Sequence, residues 1–258
     1  MGVPVFPSRA FRHTSIYKRT DRGINTPADL KGRRIGTPEY QLTANVWARA
    51  ILEEEYGVKP SDITWVRGGM DTPGRIEKIS LDLGPDVRLE NAPTDRTLNQ
   101  MLEAGEIDGL IGPRAPASFE AGSPAVDWLF PDPSATASDW FRRTGLFPIM
   151  HILGVRRRLV EQHAWLPAAL LKAFEQSKRI ALTRLADTSA TKVTMPFVED
   201  NLRRTRQLMG RDFWPYGYAA NKATLEAFLR FHHHQGLSHR LVGVEELFHS
   251  STLESFKL

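Results

Sequence analysis

This sequence predicts an α/β fold, and three observations carry that reading. Between Arg33 and Gly112, short strand-like runs alternate with helix-like runs, the order expected of a parallel sheet with crossover helices. The apolar positions Leu42, Val46, Trp47, Ala50 and Ile51 follow helical spacing, whereas Ile63 to Val66 and Ile107 to Gly112 are short buried-type strands. Polar residues collect just after the strand-like runs, in RIG-TPEYQ and DGLIG-PRAP, where open α/β sheets bind ligands.

Taken in order, Val3 to Phe6 and Ser15 to Lys18 read as short extended pieces around a basic cluster, Arg9, Arg12 and His13. Thr26-Pro27 starts a short helix through Leu30, because proline suits the first helical turn, and Lys31-Gly32 ends it. Arg33 to Gly36 is a strand, broken by Thr37-Pro38. A helix runs from Leu42 to Tyr56 with Glu53 to Glu55 outward, and Gly57 closes it. Ile63 to Val66 is the next strand. Arg67 to Pro93, rich in glycine, proline and charge, reads mostly as loop. Thr97 to Ala104 is a helix ended by Gly105, and Ile107 to Gly112 is a strand. After a proline-rich stretch from Pro113 to Pro133, GLFPIMHILG is an apolar strand interrupted by His151. Helices are predicted over Leu159 to Ala186, Glu199 to Gly210 and Lys222 to Gln235, with an aromatic turn at Phe213 to Tyr218.

With 258 residues the chain can bury a sizeable core as one large domain or two lobes. Charged residues are 25% and hydrophobic residues 41%, as in ordinary globular proteins. The absence of cysteine removes disulfides, thiolate metal sites and cysteine nucleophiles. No apolar run is long enough to span a bilayer and no signal-peptide order is visible, so no membrane partner and a cytoplasmic location are expected. The net charge of +4 suits capture of small carboxylates or phosphates; without a helix-turn-helix, zinc-finger or RNP signature, no nucleic-acid partner is expected. Three successive histidines, His232 to His234, point about 100° apart on a helix and cannot converge on one ion, so no metal site is expected.

The block GINTPADLKGRRIGTPEYQ, a helix, ITWV and then LEAGEIDGLIG resembles the second lobe of type II periplasmic-binding-protein-like folds, which are two α/β lobes joined by hinge strands. PVFPSRAFRH, GTPEYQLTA, IGPRAP, GLFPIMH and DFWPYGY together resemble the 4,5-dihydroxyphthalate decarboxylase family within that class. The resemblance runs from residue 3 to about residue 218. It implies residues 1–20 as hinge and remnant of lobe 1, 21–146 as lobe 2, and 147–258 as return hinge and helical part of lobe 1. Family members begin with a further strand-helix-strand-helix portion, so the first lobe is expected to be incomplete. The resemblance also implies non-oxidative decarboxylation of 4,5-dihydroxyphthalate to protocatechuate, with no cofactor. The alternative is a non-catalytic solute-binding protein for an aromatic anion. The expected partner is a small aromatic dicarboxylate, and a homo-oligomer is left open.

Such a reaction calls for guanidinium forks to hold a dianion and a group titrating near neutrality to protonate the ring carbon. Arg9 and Arg114 are the expected carboxylate clamps, Arg114 following a strand in a loop stiffened by prolines. Arg75 is a further cation on a loop. His13 and His151 are the two expected catalytic residues, with the choice of general acid between them open. Tyr40 and Gln41 follow a strand end, and Thr43 opens a helix whose backbone N–H groups suit an anion. Tyr40 serves either to contact the ring or to pack the lobe. Trp214 and Tyr216 either wall the cleft or pack a turn between helices.

Overall fold

The computed structural model describes residues 1–190 and 192–254. The chain divides into two compact units, one of residues 1–9, 144–226 and 242–258, the other of residues 10–143 and 227–241.

In the first unit, strand β1 (Gly2–Arg9) forms the two-stranded antiparallel sheet described below. In the second, β2 (Ile16–Arg19) precedes β3 (Arg34–Thr37), helix α1 (Thr43–Tyr56), β4 (Thr64–Arg67), β5 (Arg88–Asn91), α2 (Leu98–Ala104), β6 (Gly109–Ile111), α3 (Ala117–Glu120), β7 (Val126–Trp128) and α4 (Pro133–Thr144). Its six-stranded sheet has the order β5-β4-β3-β6-β2-β7. The pairs β3–β4, β3–β6 and β4–β5 are parallel, so the expected crossover arrangement holds through the middle; β2 runs antiparallel to both β6 and β7. Gly57 takes φ 64° beyond the last turn of α1, the left-handed cap that glycine adopts without steric cost. Thr97 caps α2, accepting from the Gln100 N–H while the Gln100 side chain accepts from the Thr97 N–H.

Two apolar clusters cover the faces of this sheet. One gathers Ile16, Leu30, Ile35, Leu52 and Trp65; the other gathers Val66, Leu98, Leu102, Ile107 and Leu110. Residues 68–87 form a long loop, as expected. However, β5 emerges within the stretch read as loop, and α3 and β7 within the proline-rich stretch. β5 is short, polar and largely exposed, so it carries no apolar signal, and β7 is only three residues long, too short to show an alternation.

In the first unit β1 pairs antiparallel with β8 (Ile149–Gly154), with Ser8 opposite His151 and Arg9 opposite Ile149. Helices α5 (Arg157–Gln162), α6 (Leu166–Leu185) and α7 (Val198–Met209) follow, then α8 (Lys222–His234), whose C-terminal part belongs to the second unit. The single helix expected over Leu159 to Ala186 is therefore two. His163 departs from helical backbone, and Pro167, within the first turn of α6, starts a new helix. Among the described residues no helix is long and apolar enough to cross a membrane.

Candidate functional site

The carboxyl ends of β3, β4 and β6 open onto a cavity of about 560 Å³ in the second unit. Its walls are the turn after β3 (Pro38, Glu39, Leu42), the loop after β4 (Gly69 to Ile76, and Lys78) and Pro113-Arg114 after β6. This is where strand polarity in an open sheet places a ligand. The β4 loop is anchored on α2: the Leu98 N–H donates to the Gly69 carbonyl at 2.8 Å, and the Asn99 amide donates to Asp71 at 2.7 Å. Gly69 is required there, since a Cβ would lie 1.7 Å from the Thr72 carbonyl oxygen.

Three cations and two carboxylates line the cavity. Arg75 donates through Nε to Glu39 Oε1 at 2.7 Å and through Nη2 to the same oxygen. Glu39 itself is almost fully buried, and its backbone is fixed by Asn45, whose amide donates to the Glu39 carbonyl at 2.7 Å and to the Thr37 hydroxyl at 2.8 Å. Arg114 is exposed and has neither hydrogen bond nor ion pair among the described residues, including with Glu120; Lys78 is likewise exposed and unpartnered. Chemically, the cavity holds two cations without ion-pair partners among the described residues, one neutralised Arg75–Glu39 pair and the carboxylate of Asp71, a net positive charge that suits a small anion.

Of the residues singled out from sequence, Arg75 and Arg114 are thus brought together. Thr43 and Gln41 are half-buried at the start of α1, and Gln41 Nε2 is buried without a partner. Tyr40 has no exposed surface. Its ring packs 3.7 Å from the Arg49 guanidinium and edge-on to Trp65, its hydroxyl has no partner among the described residues, and burial raises its pKa. His13 is enclosed too, with its ring 5.3 Å from Phe130 and 5.7 Å from Trp140 and neither nitrogen hydrogen-bonded among the described residues. Burial, assisted by the Arg143 charge, lowers its pKa to about 4, so the imidazole is neutral at neutral pH.

In the first unit, Arg9 is buried and donates to the carbonyls of Phe147 (3.2 Å) and Pro215 (2.8 Å) and to the Asn221 side chain. Burial lowers its pKa to about 10, opposed by Asp212 and Tyr216, and it remains a cation held by neutral oxygens. The Trp214 indole donates to the Phe6 carbonyl at 2.8 Å. Tyr216 carries Lys178 over its ring at 4.9 Å and lines a second cavity, of about 320 Å³, with Leu171, Glu175 and Asp212. His151 is exposed on β8, opposite Ser8 of β1, and its imidazole has no hydrogen-bond partner among the described residues. His233 and His234 contact Ser238 and Glu53 respectively, and no group of three or more metal-ligating side chains gathers among the described residues.

Sequence reasoning passed over Glu39, Lys78 and Arg49. Arg49 sits three residues after Val46 and seven after Leu42, on the apolar face of α1, a spacing that marks it as buried. Its guanidinium donates to Gln235 (2.8 Å) and to the Tyr40 carbonyl (2.7 Å), and desolvation lowers its pKa. Glu39 lies inside the TPEYQ motif, but an acid beside a turn reads as solvated.

Set against known proteins, the chain is similar in three ways. A family model described as NMT1/THI5 like matches residues 11–84. A 4,5-dihydroxyphthalate decarboxylase of Comamonas testosteroni is 64% identical over 258 residues, which is 100% of this chain and 78% of the relative. A second protein of that name, from Pseudomonas putida, is 63% identical over 142 residues, 55% of either chain. Among solved structures, the periplasmic aliphatic sulphonate binding protein SsuA from Escherichia coli aligns over 93% of this chain and 69% of its own, with 14% identity and a TM-score of 0.42.

Proposed function

We propose that this chain, which belongs to the 4,5-dihydroxyphthalate decarboxylase family, converts 4,5-dihydroxyphthalate to protocatechuate and CO2. Identity of 64% along the whole chain is the observation that carries the reading. The cavity at the strand ends supports it, because its free cations meet the chemistry of a dicarboxylate.

Arg114 is the principal clamp on a substrate carboxylate, with Lys78 as a second cation and Arg75 completing the wall. Guanidinium suits this task because its fork matches two carboxylate oxygens at once. The ring carbon bearing the leaving group takes a proton, while the hydroxyl para to it feeds electron density into the ring. The bond to the carboxylate carbon then breaks, its electron pair restores the aromatic ring, and CO2 departs. No oxidant or reductant enters that balance. His13, enclosed and neutral, and His151, exposed on β8, are the two proposed candidates for the proton donor, and the choice between them is left to the variants below. Arg9 and Tyr40 take positioning roles in this reading, as buried groups that fix backbone or packing around them.

The test is incubation of the protein with 4,5-dihydroxyphthalate while protocatechuate and CO2 are followed. The reading expects stoichiometric release of both. Saturable binding without either product would instead make the chain a solute-binding protein. His13→Asn and His151→Asn, made separately, distinguish the two: the variant lacking the donor is expected to lose most turnover and keep its ligand affinity.

A further inference from the structure

We propose that Glu39 accepts a hydrogen bond from a ring hydroxyl of the substrate, and so both selects for hydroxylated phthalates and takes part in the reaction. The proposal rests on the decarboxylase reading above. The substrate of that reading has two unlike edges, a pair of carboxylates and a pair of hydroxyls. A cavity lined only by cations would answer the first edge and leave the second unread.

Glu39 is placed to answer the second. It lines the cavity from the turn after β3, with its side chain only 2% exposed. Arg75 engages a single oxygen, Oε1, through both of its contacts. The other carboxylate oxygen has no hydrogen-bond partner among the described residues, although a carboxylate can accept about four hydrogen bonds. Two constraints fix the group in space: Arg75 holds the head, and Asn45 holds the backbone carbonyl at 2.7 Å. The other carboxylate of the cavity, Asp71, is exposed and already accepts from Asn99, which makes it a solvated rim group.

An acceptor on the hydroxyl para to the leaving carboxylate does chemical work. As the ring carbon takes its proton, positive charge spreads onto that hydroxyl oxygen, and its O–H donates more strongly to Glu39. When the carbon–carbon bond breaks and the pair returns to the ring, the charge is discharged and the hydroxyl keeps its proton. The hydrogen bond is therefore stronger in the transition state than in the bound substrate, the condition for raising kcat.

The experiment compares wild type with Glu39→Gln, measuring the inhibition constant of phthalate, which lacks hydroxyls, and kcat and KM for 4,5-dihydroxyphthalate. Loss of a charge-assisted hydrogen bond predicts a fall of about 10- to 100-fold in kcat/KM, chiefly in kcat, with phthalate inhibition changed by less than about 3-fold. Equal weakening of both ligands, or unchanged turnover, would overturn the proposal. A second measurement needs no variant: wild type should bind 4-hydroxyphthalate about 3-fold tighter than phthalate, and equal affinities would overturn the proposal. Wild type that binds these ligands but releases no protocatechuate contradicts the decarboxylase reading itself, an outcome separate from any effect at Glu39.

Discussion

The two units of this chain bury their residues in different ways. In the unit of residues 10–143 and 227–241, a six-stranded sheet carries both apolar clusters, and Trp47, Trp65 and Tyr40 are wholly enclosed. In the unit of residues 1–9, 144–226 and 242–258, β1 is buried against β8, yet the twenty-residue helix α6 buries only Pro167. Their arginines differ as well. Arg9 is held by neutral oxygens of its own unit, whereas Arg114 stands at a strand end without a partner among the described residues. The contrast teaches that burial commits a cation to oxygens of its own unit, whereas a cation at a strand end is left without a partner among the described residues.

The largest effect should come from breaking the better-packed side of that comparison. Trp65→Ala removes a ring packed on Tyr40 and lying 5.5 Å from the Arg49 guanidinium, and should cost about 3–5 kcal/mol in urea unfolding. A loss below about 1 kcal/mol would mean that the site refills.

His13 gives the next largest effect. Its folded pKa, about 4, lies below the ordinary value of 6.5, so the unfolded chain binds the extra proton first. The stability from this group is fully present above pH 6.5 and is lost as pH falls towards 4, by about 3 kcal/mol at most. Urea midpoints measured between pH 7 and pH 4 should show that slope, and His13→Phe should flatten it. An unchanged slope in the variant would assign the acid loss to other groups.

Arg114→Ala sharpens the contrast between free and committed cations. Removing a fork that meets a carboxylate should lower kcat/KM about 10- to 100-fold while the melting temperature stays within a degree or two. A large fall in melting temperature would show that Arg114 is structural after all. The smallest effect belongs to α6: Ile180→Ser, at a position 45% exposed, should change stability by no more than about 0.5 kcal/mol.

Much of the architecture was legible because period and punctuation agreed. The capping proline at Pro27, the helix from Thr43 closed by Gly57, and the parallel strands β3, β4 and β6 all follow from local signals. β5, polar, and β7, three residues long, escaped because such short strands are defined by their partners' hydrogen bonds, which no single sequence encodes. The break between α5 and α6 escaped because apolar spacing runs through it, although Pro167 marked the new start. Of the cations that line the cavity, Arg114 was named from its strand end and Arg75 only as a cation on a loop. Glu39 was not, because its importance comes from Arg75, thirty-six residues away, and from an enclosing loop. The enclosure of Tyr40 and His13 was equally a matter of tertiary packing: TPEYQ and AFRH read as polar turns until the rings of Trp65, Phe130 and Trp140 close on them.

The most direct measurement is a titration of the protein with phthalate, observed through the guanidinium and ammonium resonances of its arginines and lysines. Saturable shifts at Arg114 and Lys78, with Arg9 and Arg49 unmoved, are the predicted result. Saturable binding that leaves Arg114 and Lys78 unperturbed would contradict the account, because the dianion would then be held elsewhere.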